Sequence, residues 1–491
     1  MPKNVLWIMS DQQRRDSLGC YGNAFAATPC LDSFAREAVR FQRAYVANPI
    51  CMPNRHSLFS GRYPHNHGVY TNGLLLPDTG CSLPHYLSSL GWQTTSIGKL
   101  HFTPTDSATP PGQSPESAST WGDSCADYSF HGPYWGFQYI ELTVGHSREQ
   151  GHYRQWFLEN GGSDAMYQGE SETGDSMCLA MRLPERLHSS SFVGERTCRW
   201  LREQRDPEKP FFLVASFPDP HHPFDPPQEA AERFSMERLA PPAGGPEDLE
   251  TRPAHYARHF RGEWHRSGVT PKTTTPHGLG EAQARERIRN TYAMVSLIDK
   301  NVGRILDTLR ELHLEEDTIV LFTSDHGELL GDHGLWLKGP FYYEGLMSVP
   351  LLLRVPGVQG RDDSGLISSV DVAPTLCGLL GLPVPYYMDG VSQEAHISDP
   401  GQQARDWCLV EYRNGFGPMD VASRAIFTQR YKYVRYQTGD RELTDLREDP
   451  KETRNVASLP SYAPVCAELD SKLISAVLCS ENKYPQQISF A

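Results

Sequence analysis

Long apolar runs are missing from this chain. No stretch approaches the roughly 20 consecutive apolar residues that a membrane-spanning helix needs. The apolar run at residues 5–9 is too short for a signal-peptide core, and no small-residue cleavage site follows it. With residue 1 as the native start, a cytoplasmic location without membrane attachment is the expectation. An excess of positive charge is missing too. Its 46 Lys and Arg stand against 60 Asp and Glu, a formal net charge of −14. That balance argues against nucleic acid or an acidic membrane surface as the main partner. It also disfavours a highly sulfated polyanion, while leaving room for a basic pocket that takes one anion. Paired cysteines are the third absence. Eleven cysteines, odd in number and scattered without a CxxC motif, argue against a disulfide framework and read as small buried hydrophobes. No internal repeat is visible.

What is present points to a layered α/β enzyme. In 491 residues, 38% are hydrophobic and 22% charged, enough for one large domain and a smaller one. Four strand-like runs end in chemically capable residues. Residues 5–9 lead to Asp11 and Gln12, and residues 92–97 lead to Lys99 and His101. Residues 211–217 lead to Asp219, His221 and His222, and residues 318–323 lead to Asp325 and His326. In open α/β sheets ligands bind outside the carboxyl ends of the strands, so four such ends suggest one shared site. Helical patterns at residues 83–90 and 281–312 separate the runs. We expect a large, mixed, mostly parallel sheet between helices over residues 1–383. Residues 384–491 should form a smaller antiparallel sheet with a helix at 463–478. Segments 103–173 and 225–280, rich in Pro, Gly and aromatics, read as inserts that fold over the site.

The most informative stretch is Cys51-Met52-Pro53-Asn54-Arg55. Pro53 suits the first turn of a helix, which puts Cys51 at or just before the helix N-terminus, where partial positive charge favours an anion. Arg55, one turn on, can donate two parallel bonds to anionic oxygens. Cys51-x-Pro53-x-Arg55 with Leu58-x-x-Gly61-Arg62 resembles the signature of the type I, formylglycine-dependent sulfatases of the alkaline-phosphatase superfamily. Gly98-Lys99-Leu100-His101, Ser324-Asp325-His326-Gly327 and Lys338 also resemble elements of that family, and the likeness runs over about residues 4–456. Gln12 stands where many members carry aspartate, and His326 where many carry asparagine. This pair is similar to choline sulfatases and phosphonate monoester hydrolases.

The resemblance implies a set of roles. Cys51 would be oxidised to formylglycine by a maturation enzyme, and its diol would attack the sulfur of a small sulfate ester. Asp11, Gln12, Asp325, His326 and the oxidised Cys51 would hold one divalent ion. Carboxylates favour calcium, our first choice, or magnesium, and the imidazole suits manganese or zinc. Lys99 and Lys338 would neutralise the sulfonyl oxygens and Arg55 would position the diol. His221, with His222 as the lesser candidate, would protonate the leaving alcohol, and His101 would assist sulfate release. Asn72 either binds the nucleophile or a sulfate oxygen, or simply makes the turn that Asn72-Gly73 favours. Removing Asp11 or Asp325 should leave the fold largely intact, because the lesion is local to a strand end.

Three rival readings remain open: a phosphonate or phosphodiester hydrolase using the same formylglycine, a phosphatase or phosphomutase without it, and an inactive binding protein. The aromatics Tyr128, Phe130, Tyr134, Trp135, Phe137 and Tyr139 read as packing, with a cage for a quaternary ammonium as the alternative. We also expect a homo-oligomer.

Overall fold

The computed structural model describes residues 3–106, 109–110, 112–121, 128–145, 150–263, 279–413 and 421–481. Its main sheet has eight strands: β1 (Asn4–Ser10), β2 (Val39–Tyr45), β3 (Gln93–Gly98), β4 (Tyr139–Leu142), β7 (Phe211–Ser216), β8 (Thr318–Ser324), β9 (Leu351–Arg354) and β10 (Arg361–Ser368). A two-stranded ribbon, β5 (Gly169–Glu170) and β6 (Ala180–Met181), lies apart from it. The order across the sheet is β10-β2-β9-β8-β1-β7-β3-β4, and among these strands only β9 runs antiparallel to its neighbours.

The period of two along each central strand explains the sandwich. Val5, Trp7 and Met9 of β1 enter one core, and Leu6 and Ile8 enter the other. Strand β8 divides the same way, with Ile319 and Leu321 on one face and Val320 and Phe322 on the other. The helix Cys51–Ser60 covers the first face through Leu58 and Phe59. The long helix Glu281–Glu311 covers the second through Val295, Ile298, Val302, Ile305 and Leu309. Among the described residues, no helix is long and apolar enough to cross a membrane.

The four strands read from the sequence as site-bearing are adjacent, and their ends are level. Ser10 of β1 pairs with Ser324 of β8, Met9 with Ser216 of β7, and Gly98 of β3 with Ser216. Gly98 permits this close approach: at φ 107° its position leaves no room for a Cβ beside the Ser216 carbonyl.

Beyond the main sheet, β11 (Cys408–Arg413), β12 (Ala422–Phe427), β13 (Tyr431–Tyr436) and β14 (Arg441–Asp445) form an antiparallel sheet. The helix Ala463–Ser480 packs Cys466, Leu469 and Leu473 against its Leu409, Ile426 and Tyr433. The opposite face, including Val410, Ala425 and Phe427, merges with the main core.

The segment 103–173 is more than an insert, since it supplies the edge strand β4. Tyr128, Phe130, Tyr134 and Trp135 pack against the first core, Phe137 lies within it, and Tyr139 packs on the second. The described part of 225–280 reaches the small sheet, where Tyr256 donates to Glu442 at 3.0 Å. Residues 264–278 lie outside the described residues.

Candidate active site

Cys51 is the first residue of the helix Cys51–Ser60 and is fully buried. Extended backbone at Ile50 ends at the helix, and Pro53 stands in the first turn. One ligand-capable atom each from Asp11, Cys51, Asp325 and His326 falls within a cluster no wider than 4.8 Å. The Cys51 Sγ lies 3.1 Å from His326 Nε2, 3.7 Å from Asp11 Oδ1 and 2.7 Å from Lys338 Nζ. Burial, helped by Asp11, pushes the thiol up to about 11, so it is a neutral group here and not an activated thiolate.

Gln12 and His101 both adopt left-handed backbone, φ 63° and 56°, which costs a non-glycine residue about 1–2 kcal/mol. Buried carboxylates hold each in place. The Gln12 N–H donates to Asp325 Oδ1 at 3.0 Å, and the His101 N–H donates to Glu116. Glu116 also accepts from the Phe102 N–H at 2.8 Å and from Tyr134 Oη at 2.9 Å.

The cluster fits a divalent cation. His326 Nδ1 sits 2.8 Å from the Gly327 carbonyl, which only accepts, so Nδ1 carries the proton and Nε2 turns its lone pair to the cluster. Burial and Lys338 push this imidazole down to about 4, keeping it neutral. Burial would raise the Asp11 carboxyl, but Lys99, Arg55 and Lys338 outweigh it and hold it well below the usual range. Gln12 Oε1 is buried without a hydrogen-bond partner among the described residues. Two carboxylates, an imidazole and an unsatisfied amide oxygen make a mixed oxygen and nitrogen donor set for one such ion.

Three cations surround the cluster. Lys99 pairs with Asp11. Lys338 Nζ reaches His221 Nε2 at 2.8 Å and His326 Nε2 at 3.2 Å besides the Cys51 sulfur. Arg55 is placed differently from the sequence-based expectation. The anionic oxygens it grips are Asp325 Oδ2 at 2.7 Å and Asp11 Oδ2 at 3.2 Å, and its remaining bonds go to the carbonyls of Lys99 and Leu100 and to Ser216 Oγ. It is the scaffold of the two aspartates.

His221 is buried beside Lys338, with Nδ1 2.5 Å from the His222 carbonyl. His222 itself turns to Gln12, Nδ1 to Nε2 at 3.1 Å. Burial, then Lys99, pushes His101 well below the ordinary imidazole range. Asn72 Oδ1 accepts from the Met52 N–H at 3.0 Å, so it touches the helix of Cys51 through the backbone while also forming the turn with Gly73.

The structure adds residues that sequence reasoning missed, Glu116, Glu328 and Asn54, and gives partners to Asp219, which the sequence showed only as an acid at a strand end. Asn54 donates to the Asp325 carbonyl and accepts from Ser369 Oγ at 2.7 Å. Asp219 takes the Asp11 N–H on its carbonyl at 3.0 Å and a bond from Ser190 on its side chain. Glu328, three residues past Asp325, was visible as an acid but carried no sign of its partner.

Residues 3–382 match the sulfatase family. The chain belongs to the sulfatase family. Residues 331–477 also match the N-sulphoglucosamine sulphohydrolase C-terminal family. Among its relatives, the arylsulfatase of Clostridium perfringens is 29% identical, with 94% of this chain and 92% of that protein covered. The choline-sulfatase of Rhizobium meliloti is 28% identical over 93% of this chain and 83% of its own length. The solved phosphonate monoester hydrolase of Agrobacterium radiobacter superposes with a TM-score of 0.80 at 26% identity, covering 98% of this chain and 96% of the other. This sulfatase is thus a sulfuric ester hydrolase with an alkaline-phosphatase-like fold.

Proposed function

We propose that this sulfatase splits a small sulfate ester into an alcohol and inorganic sulfate, with Cys51 oxidised to formylglycine as the nucleophile. The observation that carries this reading is the place of Cys51: a helix N-terminus inside the Asp11, Asp325 and His326 cluster, with Lys338 at 2.7 Å. A maturation enzyme is the partner that the reading requires.

Hydrated, the modified side chain offers one hydroxyl to attack sulfur and a second whose loss of a proton expels sulfate. A divalent ion held by Asp11, Gln12, Asp325, His326 and the residue-51 side chain, with Ca2+ our first assignment and Mn2+ or Mg2+ the alternatives, would favour the ionised hydroxyl. Lys99 and Lys338 stand against the charge on the transferring sulfonyl group. His221 gives its proton to the leaving oxygen as the sulfur–oxygen bond breaks. His101 takes the proton of the second hydroxyl as the carbon–oxygen bond to sulfate breaks and the aldehyde returns.

The likeness to a phosphonate monoester hydrolase keeps phosphonate esters as the second reading. Lys99 and His101 favour sulfate, because each peripheral sulfate oxygen can then meet a strong donor.

Peptide mass spectrometry and turnover of 4-nitrophenyl sulfate on one preparation test the proposal. The Cys51 peptide should be about 18 Da lighter as the aldehyde, and activity should scale with the converted fraction. Full activity in wholly unconverted protein would overturn it.

A further inference from the structure

Glu328 is a buried acid that the chemistry above does not use. Its Oε1 accepts from the backbone N–H groups of Leu330, at 3.1 Å, and Leu337. Its Oε2 accepts from Gln12 Nε2. The same nitrogen lies 3.1 Å from His222 Nδ1, so the two hydrogens of the Gln12 amide meet two acceptors. The other end of that amide, Oε1, is buried and has no hydrogen-bond partner among the described residues.

A primary amide has two unlike ends. The oxygen offers lone pairs that a hard cation can use, whereas the NH2 group only donates. The ends are nearly equal in size, so packing alone does not decide which faces the cluster. The groups that hold the nitrogen decide it.

We propose that Glu328 is a positioning residue for the metal centre: it holds the nitrogen end of the Gln12 amide so that the oxygen faces the ion. The inference rests on the divalent ion of the proposed function. Hydrogen bonding of the amide nitrogen to a carboxylate makes the amide oxygen a better donor to the ion, as outer partners do for other metal ligands. Through Leu337 the same carboxylate anchors the chain next to Lys338, so the metal centre and the sulfate-binding lysine share one support.

Equilibrium dialysis of chelator-stripped protein against Mn2+ reads the effect without any turnover, with chemical denaturation in chelator as the folding control. Wild type should bind one Mn2+ per chain. Glu328→Gln keeps an acceptor for Leu330 and Leu337 but can present a donor to Gln12, and should weaken Mn2+ binding by about 10- to 100-fold. Adding Gln12→Glu to that variant restores a matched donor and acceptor in reversed order, and should recover most of the loss. A carboxylate at position 12 binds the ion more strongly whatever stands behind it, so Gln12→Glu alone is the reference: beside it Glu328→Gln should tighten Mn2+ binding, the reverse of its effect beside Gln12, a change of sign that a structural role would not give. Unchanged affinity in Glu328→Gln, or a double variant no tighter than Gln12→Glu alone, overturns the proposal. Should Glu328→Gln fail to fold, the double variant measured against Gln12→Glu decides the matter, tighter binding for and equal or weaker binding against. Absence of any divalent-ion binding by wild type is a separate result: it removes the metal reading on which the proposal stands.

Discussion

Arg55 and Asp325, 270 residues apart in the chain, are both fully buried and joined Nε to Oδ2 at 2.7 Å. Asp11 holds the other side of the guanidinium at 3.2 Å. Removing either carboxylate would therefore leave a buried cation short of a partner, which changes what a substitution at the strand ends should do.

Asp325→Ala should abolish turnover and also destabilise the fold by about 3–5 kcal/mol, the cost of breaking a buried ion pair from one side. Sequence alone led to the opposite expectation of an intact fold. Denaturant titration beside a kinetic assay checks both parts. Wild-type stability in this variant would mean that the Arg55 pair contributes nothing.

For His221 the discriminating quantity is the leaving group. General acid catalysis contributes about 10²–10⁴-fold, and most where the departing alcohol is basic. His221→Gln should lower kcat far more for alkyl sulfates than for 4-nitrophenyl sulfate. An equal loss across a series of leaving groups would remove His221 from that role.

Lys99 should set the preference between sulfate and phosphonate esters. Replacing one peripheral oxygen by carbon leaves a buried donor unpaired, at about 1–3 kcal/mol. One decade in kcat/KM corresponds to about 1.36 kcal/mol, so 4-nitrophenyl sulfate should beat a phenylphosphonate ester by about tenfold or more. Lys99→Ala should lower both rates and narrow the gap. A wild-type preference for the phosphonate would install the second reading.

Acid should weaken the fold through its buried histidines. Burial pushes His56, His152 and His255 down to about 4, against an ordinary value of 6.5. Between those values the unfolded chain binds protons that the folded chain does not, so stability falls as pH drops from 6.5 towards 4. Each such group contributes up to about 1.4 kcal/mol per pH unit in that window. Denaturant midpoints at pH 7 and pH 5 test the trend, and His56→Gln should make it shallower. Equal midpoints at the two pH values would contradict it.

The residues that the fold gathers at the strand ends were legible from the chain because their signals are local. A proline in a first turn places Cys51 at a helix start, and a strand-like run ending in Asp11, Lys99 or Asp325 marks the carboxyl end of a strand. The alternation along residues 5–9 and 318–323 likewise announced strands buried on both faces. Contacts between distant segments carry no such signal. Only the order of strands, with β1 between β7 and β8, brings Arg55 onto Asp11 and Asp325, seats Glu116 under His101 and sets Glu328 against Gln12. The sequence by itself determined the strands and the polar groups at their ends. The tertiary structure decided which buried donor meets which acceptor, because a buried polar group must find its partner wherever the packed layers place one.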